Sequence, residues 1–300
     1  MKKSVSLLLA ALMLTGALAG CGSSASTSTG AQDSSAADTG VSGAVTVISR
    51  EDGSGTRGAF IELTGVEEKT ADGKKVDNTT ADAEIANKTD VVLTSVAGNE
   101  KAIGYISLGA LNDTVKAVKV DGAEATVDNV KAGAYKLSRP FNIATKGEPT
   151  GLAKDFINFI LSKEGQAVVT DNKYIAVNDA AESFVSDGSS GQIAVGGSSS
   201  VSPVMEKLIE AYKSVNPNAS IDLQTSDSTS GMTGAMDGTF AIGMASRELK
   251  DEEAAQLTGT AIALDGIAVI VNPANTIDEL SMDQIKSIYV GDITDWGDLA

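Results

Sequence analysis

The chain has 300 residues, with 23 Lys and Arg against 40 Asp and Glu for a formal net charge of -17, a single cysteine and no histidine. Such acidity argues against nucleic acid or an anionic lipid surface as a partner. Without histidine there is no Ser-His-Asp or Cys-His catalytic arrangement and no His-bearing metal site, and one cysteine allows no disulfide within the monomer.

Lys2 and Lys3 followed by the apolar run from Val5 to Ala19 read as an export signal over residues 1–20. The run ends in Leu18-Ala19-Gly20-Cys21, which resembles a bacterial lipobox, where the signal is cut before the cysteine and the cysteine takes lipid. A buried free thiol is the competing reading, but nothing around Cys21 could bury it. Residues 22–43 are Ser, Ala, Thr, Gly and Asp with almost no large apolar side chain, so they read as a flexible tether reaching roughly 25 Å. The expected location is the extracytoplasmic face of the cell membrane, with lipid as the only membrane contact.

From Ala44 onward, short β-branched runs alternate with amphipathic helical stretches. In chain order these are Val45–Ser49 and a helix from about Gly55; Ile103–Leu108; Val115–Val120; Phe141–Thr145 and a helix from about Thr150, with a break over Ser162–Gly165 before a shorter helix. The rhythm resumes at Gln192–Val195, Ser220–Gln224, Phe240–Met244 and Ala261–Val271. This alternation predicts an α/β fold. Val201, Val204, Leu208, Tyr212 and Val215 share one helical face, with Pro203 in the first turn, where its missing N–H costs nothing. The polar stretch from Glu67 to Asp90 reads as a surface excursion, and the Ser- and Gly-rich piece Asp179–Gly191 as a joint.

Three small-residue turns open helices: Asp52–Arg57 after the first strand, Gly196–Pro203, and Ser226–Met232. Helix N-termini present free N–H groups and the positive end of the helix dipole, and Ser or Thr hydroxyls add donors without bulk, so each turn suits an anion. Singly, each is also an ordinary N-cap. Together, with Arg50 beside one of them, they predict a convergent oxyanion site. Arg50 would offer a planar fork to two ligand oxygens with Asp52 holding the guanidinium; the bland alternative is a surface ion pair with Glu51 or Asp52. Arg57 is expected to face solvent. Neither a nucleophile elbow with its base nor a Walker loop is present, so no enzyme, cofactor or metal is expected.

At these residues the chain resembles the phosphate-binding lipoproteins that serve phosphate ABC transporters in Gram-positive bacteria. The segments that carry the resemblance are ISREDGSGTRGAF, AIGYISLG, YKLSRPF, FINFILSKEGQ, GGSSSVSPVMEKL, IGMASRELKDEE, DGIAVIVNPAN and IYVGDITDWGDL. In the family the Gly-Ser-Ser-type segment comes first and the Arg-Glu-Asp-Gly-Ser-Gly-Thr segment follows the Trp-containing stretch. Here 44–177 precedes 192–300, which reads as a circular permutation with 179–191 joining the former termini. The resemblance implies a two-domain type II periplasmic-binding fold with the ligand in the cleft: 44–139 plus 271–300 in one domain, 140–270 in the other, and a hinge near Ser138–Phe141 and Val269–Asn272.

Carried over residue by residue, the resemblance implies that Arg50, Ser54, Gly55 and Thr56 bind phosphate from one lip and Ser199, Ser200 and Ser228 from the other. Better-known members place an aspartate after the Gly-Ala-Ser turn to accept the proton of hydrogen phosphate; this chain has Ser246 there. Asp265 is the first candidate for that acceptor, with Asp52 second, and capping of a turn is the alternative role for Asp265. The expected partners are inorganic phosphate and the permease subunits of an ABC transporter, for a chain acting as a monomer. Alternatives are a binder of sulfate, molybdate or tungstate, a surface adhesin or sensor, or a hydrolase, which would need carboxylates grouped in the cleft.

Overall fold

The computed structural model describes residues 41–299; the leader, Cys21 and the tether through residue 40 lie outside the described residues. The elements run β1 (Thr46–Arg50), α1 (Gly55–Thr64), β2 (Glu67–Lys69), β3 (Lys75–Asp77), β4 (Glu84–Ala86), α2 (Thr89–Ala97) and β5 (Ala102–Ser107). The short strands β6 (Lys116–Ala117) and β7 (Lys119–Val120) follow, then α3 (Val127–Lys131), β8 (Ser138–Thr145), α4 (Gly151–Leu161) and α5 (Lys163–Asp171). The last stretch holds β9 (Gly191–Ser198), α6 (Ser202–Val215), β10 (Ala219–Ser226), α7 (Ser228–Asp237), β11 (Ile242–Ala245), α8 (Asp251–Ala254), β12 (Thr258–Val271), β13 (Glu279–Leu280) and α9 (Met282–Val290). The fold is α/β, as the alternation of apolar runs predicts.

Nine strands form one mixed sheet in the order β10-β9-β11-β8-β12-β5-β1-β4, with β6 added beside β12. The long strand β12 organises it. Its first part pairs antiparallel with β8 over Thr258–Gly266, and its last residues, Ile267–Val271, pair antiparallel with β5.

Two hydrophobic cores flank this strand. One gathers Ile48, Phe60, Tyr105, Leu137, Ile267–Val271, Tyr289 and Trp296; Phe60 stacks on Tyr105 with ring centroids 4.0 Å apart and meets Tyr289 edge-on at 4.7 Å. The other gathers Phe141, Phe156, Phe159, Val195, Val204, Leu208, Tyr212, Met244 and Ile262. β8 changes core between Leu137 and Phe141, and β12 between Ala263 and Ile267. The side chains of Ile267–Ile270 therefore pack with the first core.

Local sequence accounts for several element boundaries. Pro203 sits in the first turn of α6, whose Val204, Leu208 and Tyr212 face is buried. The expected break over Ser162–Gly165 shrinks to one residue: Ser162 ends α4 and caps α5, its Oγ accepting from the Gly165 N–H at 3.2 Å. The run Val115–Val120 divides into two short strands that pair with β12 and β13. The polar stretch from Glu67 is exposed through the β2–β3 hairpin, but it re-enters the fold where β4 pairs with β1 and the buried Thr89 opens α2.

The two ends of the described chain meet. Ala44 pairs with Asp295 in an antiparallel bridge, the Val45 N–H donates to the Thr294 carbonyl at 2.8 Å, and the Trp296 N–H donates to the Gly43 carbonyl at 3.1 Å. The joint Asp179–Gly191 has no regular structure before β9, yet it is pinned: Ser186 Oγ and the Asp187 N–H both donate to buried Asp155, which also accepts from Tyr212 OH at 2.6 Å.

Candidate functional site

All three small-residue turns come to one place. Ser54 caps α1, leaving Gly55 and Thr56 buried in its first turn. Asp227 caps α7 by accepting from the Ser230 N–H, and Ser228 is buried at its first position. Ser198, Ser199 and Ser200 lie where β9 gives way to α6. The turns before α1 and α7 touch directly: the Gly55 N–H donates to Ser228 Oγ at 3.2 Å and the Thr229 N–H to the Gly53 carbonyl at 3.1 Å.

The hydroxyls form a connected buried cluster. Thr56 Oγ1 lies 2.9 Å from Ser200 Oγ and 3.2 Å from Ser246 Oγ. Ser246 Oγ in turn accepts from Ser198 Oγ at 3.0 Å, and the Ser246 N–H donates to Ser228 Oγ at 3.1 Å. Thr89 Oγ1 is 3.2 Å from Ser200 Oγ and 3.4 Å from Ser199 Oγ. Each hydroxyl can donate or accept, so the cluster can turn its protons toward an acceptor without moving heavy atoms far.

Arg50 borders the cluster and is only 2% exposed. Its Nη2 donates to Ser199 Oγ at 3.1 Å and its Nη1 reaches Thr89 Oγ1 at 3.4 Å. Glu51, not Asp52, holds the guanidinium, accepting from Nε and Nη2 at 2.8 Å each. The pair foreseen as a surface bridge is thus buried on its arginine side. Asp52 is 97% exposed and pairs with Arg57 at 3.2 Å, so the structure does not bring it to the cluster. Arg57 does not face solvent as expected: it is tucked in, donating to the Arg50 carbonyl at 2.6 Å and pairing with Asp77 at 2.8 Å. Those bonds satisfy a guanidinium that α1 would otherwise leave against the end of β1.

Asp265 is fully buried one step away. It accepts from Arg139, its cross-strand neighbour on β8, and from the Gly109 N–H at 3.3 Å. Burial is the largest influence on both partners, pushing the carboxyl up and the guanidinium down, and each charge opposes the shift of the other. Among the described residues no carboxylate bonds to the clustered hydroxyls; Asp265 reaches them only through Arg139, whose Nη2 donates to Thr56 Oγ1 at 3.1 Å.

The structure therefore gathers Arg50, Ser54, Gly55, Thr56, Ser199, Ser200, Ser228 and Ser246 and leaves Asp52 outside. Thr89, Ser198 and Arg139 join without having been singled out. Ser198 stands beside residues already chosen, Arg139 lies inside the YKLSRPF segment, and Thr89 closes a stretch whose polarity reads as surface. Chemically the site offers many neutral donors and cations already matched by carboxylates, an arrangement suited to holding an oxyanion. Among the described residues no group of three or more His, Cys, Asp or Glu could hold a metal ion, and no helix is long and apolar enough to cross a membrane.

Comparison with known proteins agrees with this chemistry. The family described as PBP superfamily domain matches residues 25–164 and 183–300. Phosphate-binding protein PstS 2 of Streptococcus agalactiae is 50% identical over 99% of this chain and 98% of its own length. Phosphate-binding protein PstS of Bacillus subtilis is 34% identical, but over only 45% of this chain and 42% of its own. The crystal structure of a phosphate-binding protein of a phosphate ABC transporter from Streptococcus pneumoniae TIGR4 superposes with a TM-score of 0.69 at 50% identity, covering 86% of this chain and all of that one. By both the family match and full-length identity, the chain belongs to the PstS phosphate-binding proteins of the PBP superfamily.

Proposed function

We propose that this protein binds inorganic phosphate outside the cytoplasm and delivers it to the permease of an ABC transporter, performing no chemistry on it. The observation that carries this reading is the buried hydroxyl cluster, built where three helix-opening turns converge beside an arginine clamped by Glu51. In this reading Arg50, Ser54, Gly55, Thr56, Ser199, Ser200 and Ser228 supply the donors, with Ser246 accepting or donating as the ligand requires.

Domain closure is the mechanism. Two lobes, 44–139 with the chain from Ile267 onward and 140–266, approach across the cleft, the boundary on β12 lying a few residues before the expected 270/271, and the closed liganded form is what the permease recognises. The two separate hydrophobic cores support this division, and so do the Gly55–Ser228 and Gly53–Thr229 bonds between the turns of opposite lobes. Lipid on Cys21 would keep a monomeric receptor near its permease, and loss of fatty-acid labelling in Cys21→Ser tests that anchor.

Circular permutation explains the segment order. The described ends pair at Ala44 and Asp295. Identity is continuous with the S. agalactiae relative but stops at less than half of either chain with the B. subtilis one. A collinear alignment follows only one of two exchanged segments, so a permutation leaves that pattern.

Titration calorimetry of residues 41–300, freed of anion, with phosphate and then sulfate is the deciding experiment. Phosphate binding with sulfate ignored is expected; silence toward phosphate overturns the reading. Because no carboxylate bonds to the clustered hydroxyls among the described residues, a less selective binder of tetrahedral oxyanions, sulfate included, is the second reading, and equal binding of both anions would establish it.

A further inference from the structure

We propose that Arg139 is a second anion-contacting arginine of this site, held at the strand crossing by Asp265, so that the ligand is gripped between two guanidinium groups. The inference rests on the anion-binding reading above and specifies its charge: the favoured ligand is a tetrahedral dianion.

Arg139 sits where β8 passes from one core to the other, directly opposite Asp265, where β12 makes the same passage. It is 3% exposed. Its Nη1 is used by Asp265 and by the Gly266 carbonyl at 3.0 Å, which fixes the plane of the guanidinium. Nη2 points the other way, onto the same Thr56 hydroxyl that touches Ser200 and Ser246. Arg50 reaches that cluster from its opposite side, through Ser199 and Thr89. Each arginine thus has one edge fixed by a carboxylate and another aimed at the hydroxyls, the arrangement that pre-organises a charge-assisted bond.

A buried polar group without a partner is uncommon and calls for a physical cause. Three occur among the described residues, namely Arg139 Nε, Ser107 Oγ and Tyr174 OH. They belong to one neighbourhood: Ser107 lies beside both Asp265 and the Tyr174 phenol, and the charge of Arg139 acts on Tyr174. Ser107 and Tyr174 are within reach of one another and of Asp265, so the donor left without a neighbour to use it is Arg139 Nε. Like charge points the same way: Arg50 and Arg139 are both bonded into this one cluster, and two guanidinium groups so placed repel each other, though burial and Asp265 weigh more on Arg139. An anion between the two guanidinium groups relieves that repulsion.

The test pairs binding with ligand charge. Arg139→Gln alone would strand the Asp265 carboxylate, so the double variant R139Q/D265N removes the ion pair together, and R139K keeps the charge without the fork. Phosphate affinity is expected to fall about 10- to 100-fold in the double variant, the loss typical of a charge-assisted bond, with partial recovery in R139K. The charged or titratable groups that face Arg139 are Asp265, Tyr174 and Arg50, and burial raises the Asp265 carboxyl. Wild type, the double variant and R139K, which keeps Asp265, are therefore all titrated at about pH 8 and about pH 5.5 to separate the titration of Asp265 from that of phosphate. Wild-type preference for the dianion should shrink in the double variant, a change that a merely structural pair would not produce. Wild-type affinity and an unaltered pH dependence in the double variant overturn the assignment while leaving the proposed function standing; a wild-type protein silent toward phosphate overturns both. Arginine Nε signals in the nuclear magnetic resonance spectrum of the wild-type protein need no variant to fold. Phosphate should shift two buried guanidinium signals, and a shift confined to one refutes the proposal.

Discussion

Gly55 and Ser228, 173 residues apart in sequence, meet through a 3.2 Å bond from the Gly55 N–H to Ser228 Oγ, and there is no room for a side chain between them. A Cβ placed on Gly55 would lie 2.5 Å from Ser228 Oγ and 2.9 Å from Ser246 Oγ. Gly55→Ala should therefore hold the two turns apart. We expect phosphate affinity to drop at least about tenfold, as one wedged contact of about 1.4 kcal/mol or more would require. Calorimetry measures the affinity, and small-angle scattering with phosphate present should show a more open protein than wild type. Unchanged affinity would mean that the turns need not meet when the ligand is bound.

The Arg50–Glu51 pair yields a second expectation. Because both oxygens of Glu51 are engaged by one guanidinium, the fork is fixed before ligand arrives. Lysine cannot copy that geometry, so Arg50→Lys should weaken phosphate binding about as much as Arg50→Gln does, by roughly 10- to 100-fold. Glu51→Gln should cost less, since one side-chain oxygen can still accept. Equal losses for the Glu51 and Arg50 variants would show that Glu51 touches the ligand or orders more than the arginine.

Acid stability should depend on Glu253. Burial pushes this carboxyl up, but two bonds from Arg247, at 2.7 and 2.8 Å, and the Lys250 N–H hold it below the usual carboxylate range on balance. A carboxyl whose folded-state pKa is depressed adds stability that is fully present above its unfolded pKa and is lost as pH falls through the folded one. Thermal melts of Glu253→Gln should lie below wild type at neutral pH, with the gap closing as pH falls below the ordinary carboxylate range. A gap of constant size across that range would mean that the ion pair makes no pH-dependent contribution.

Much of this arrangement is legible in the residues themselves, because small-residue turns ahead of apolar helical faces are local signals. Ser54, Ser199 and Ser228 stand beside helix starts, and no distant contact is needed to find them. What escapes is set by distance. Arg139 looks like one more strand residue until β12 puts Asp265 opposite it, and Thr89 looks like surface until α2 turns it inward. The exchange of Asp52 for Glu51 is also geometric: Asp52 lies in the exposed turn and reaches Arg57, whereas Glu51 follows Arg50 directly and accepts from its fork. The changeover on β12 falls before Ile267 because those residues pair with β5, a tertiary fact that a continuous apolar run from Ala261 to Val271 conceals.

The meeting of the chain ends makes the segment order itself testable. With the Trp296 N–H bonded to the Gly43 carbonyl and the Val45 N–H to the Thr294 carbonyl, the stretches around Gly43 and Trp296 are already neighbours, and a short flexible linker can join them. New termini can be opened between Gly188 and Ser189, beyond the Asp155 contacts to Ser186 and Asp187, where Gly188 is exposed and the Ser189 carbonyl can keep its bond from Asn216. This rearranged chain would run from Ser189 through β9 and β12 to the joined ends and finish after α5. If the present order arose by permutation, the rearranged protein should fold, melt within a few degrees of the original and bind phosphate with similar affinity, since each strand keeps its neighbours. Removing Asp155 as a control should lower the melting temperature of both forms, because Tyr212 loses a buried acceptor worth about 1 to 3 kcal/mol. A rearranged chain that stays unfolded, with the Asp155 control behaving as expected in the original, would show that the continuity through 179–191 is required and that the order is not interchangeable.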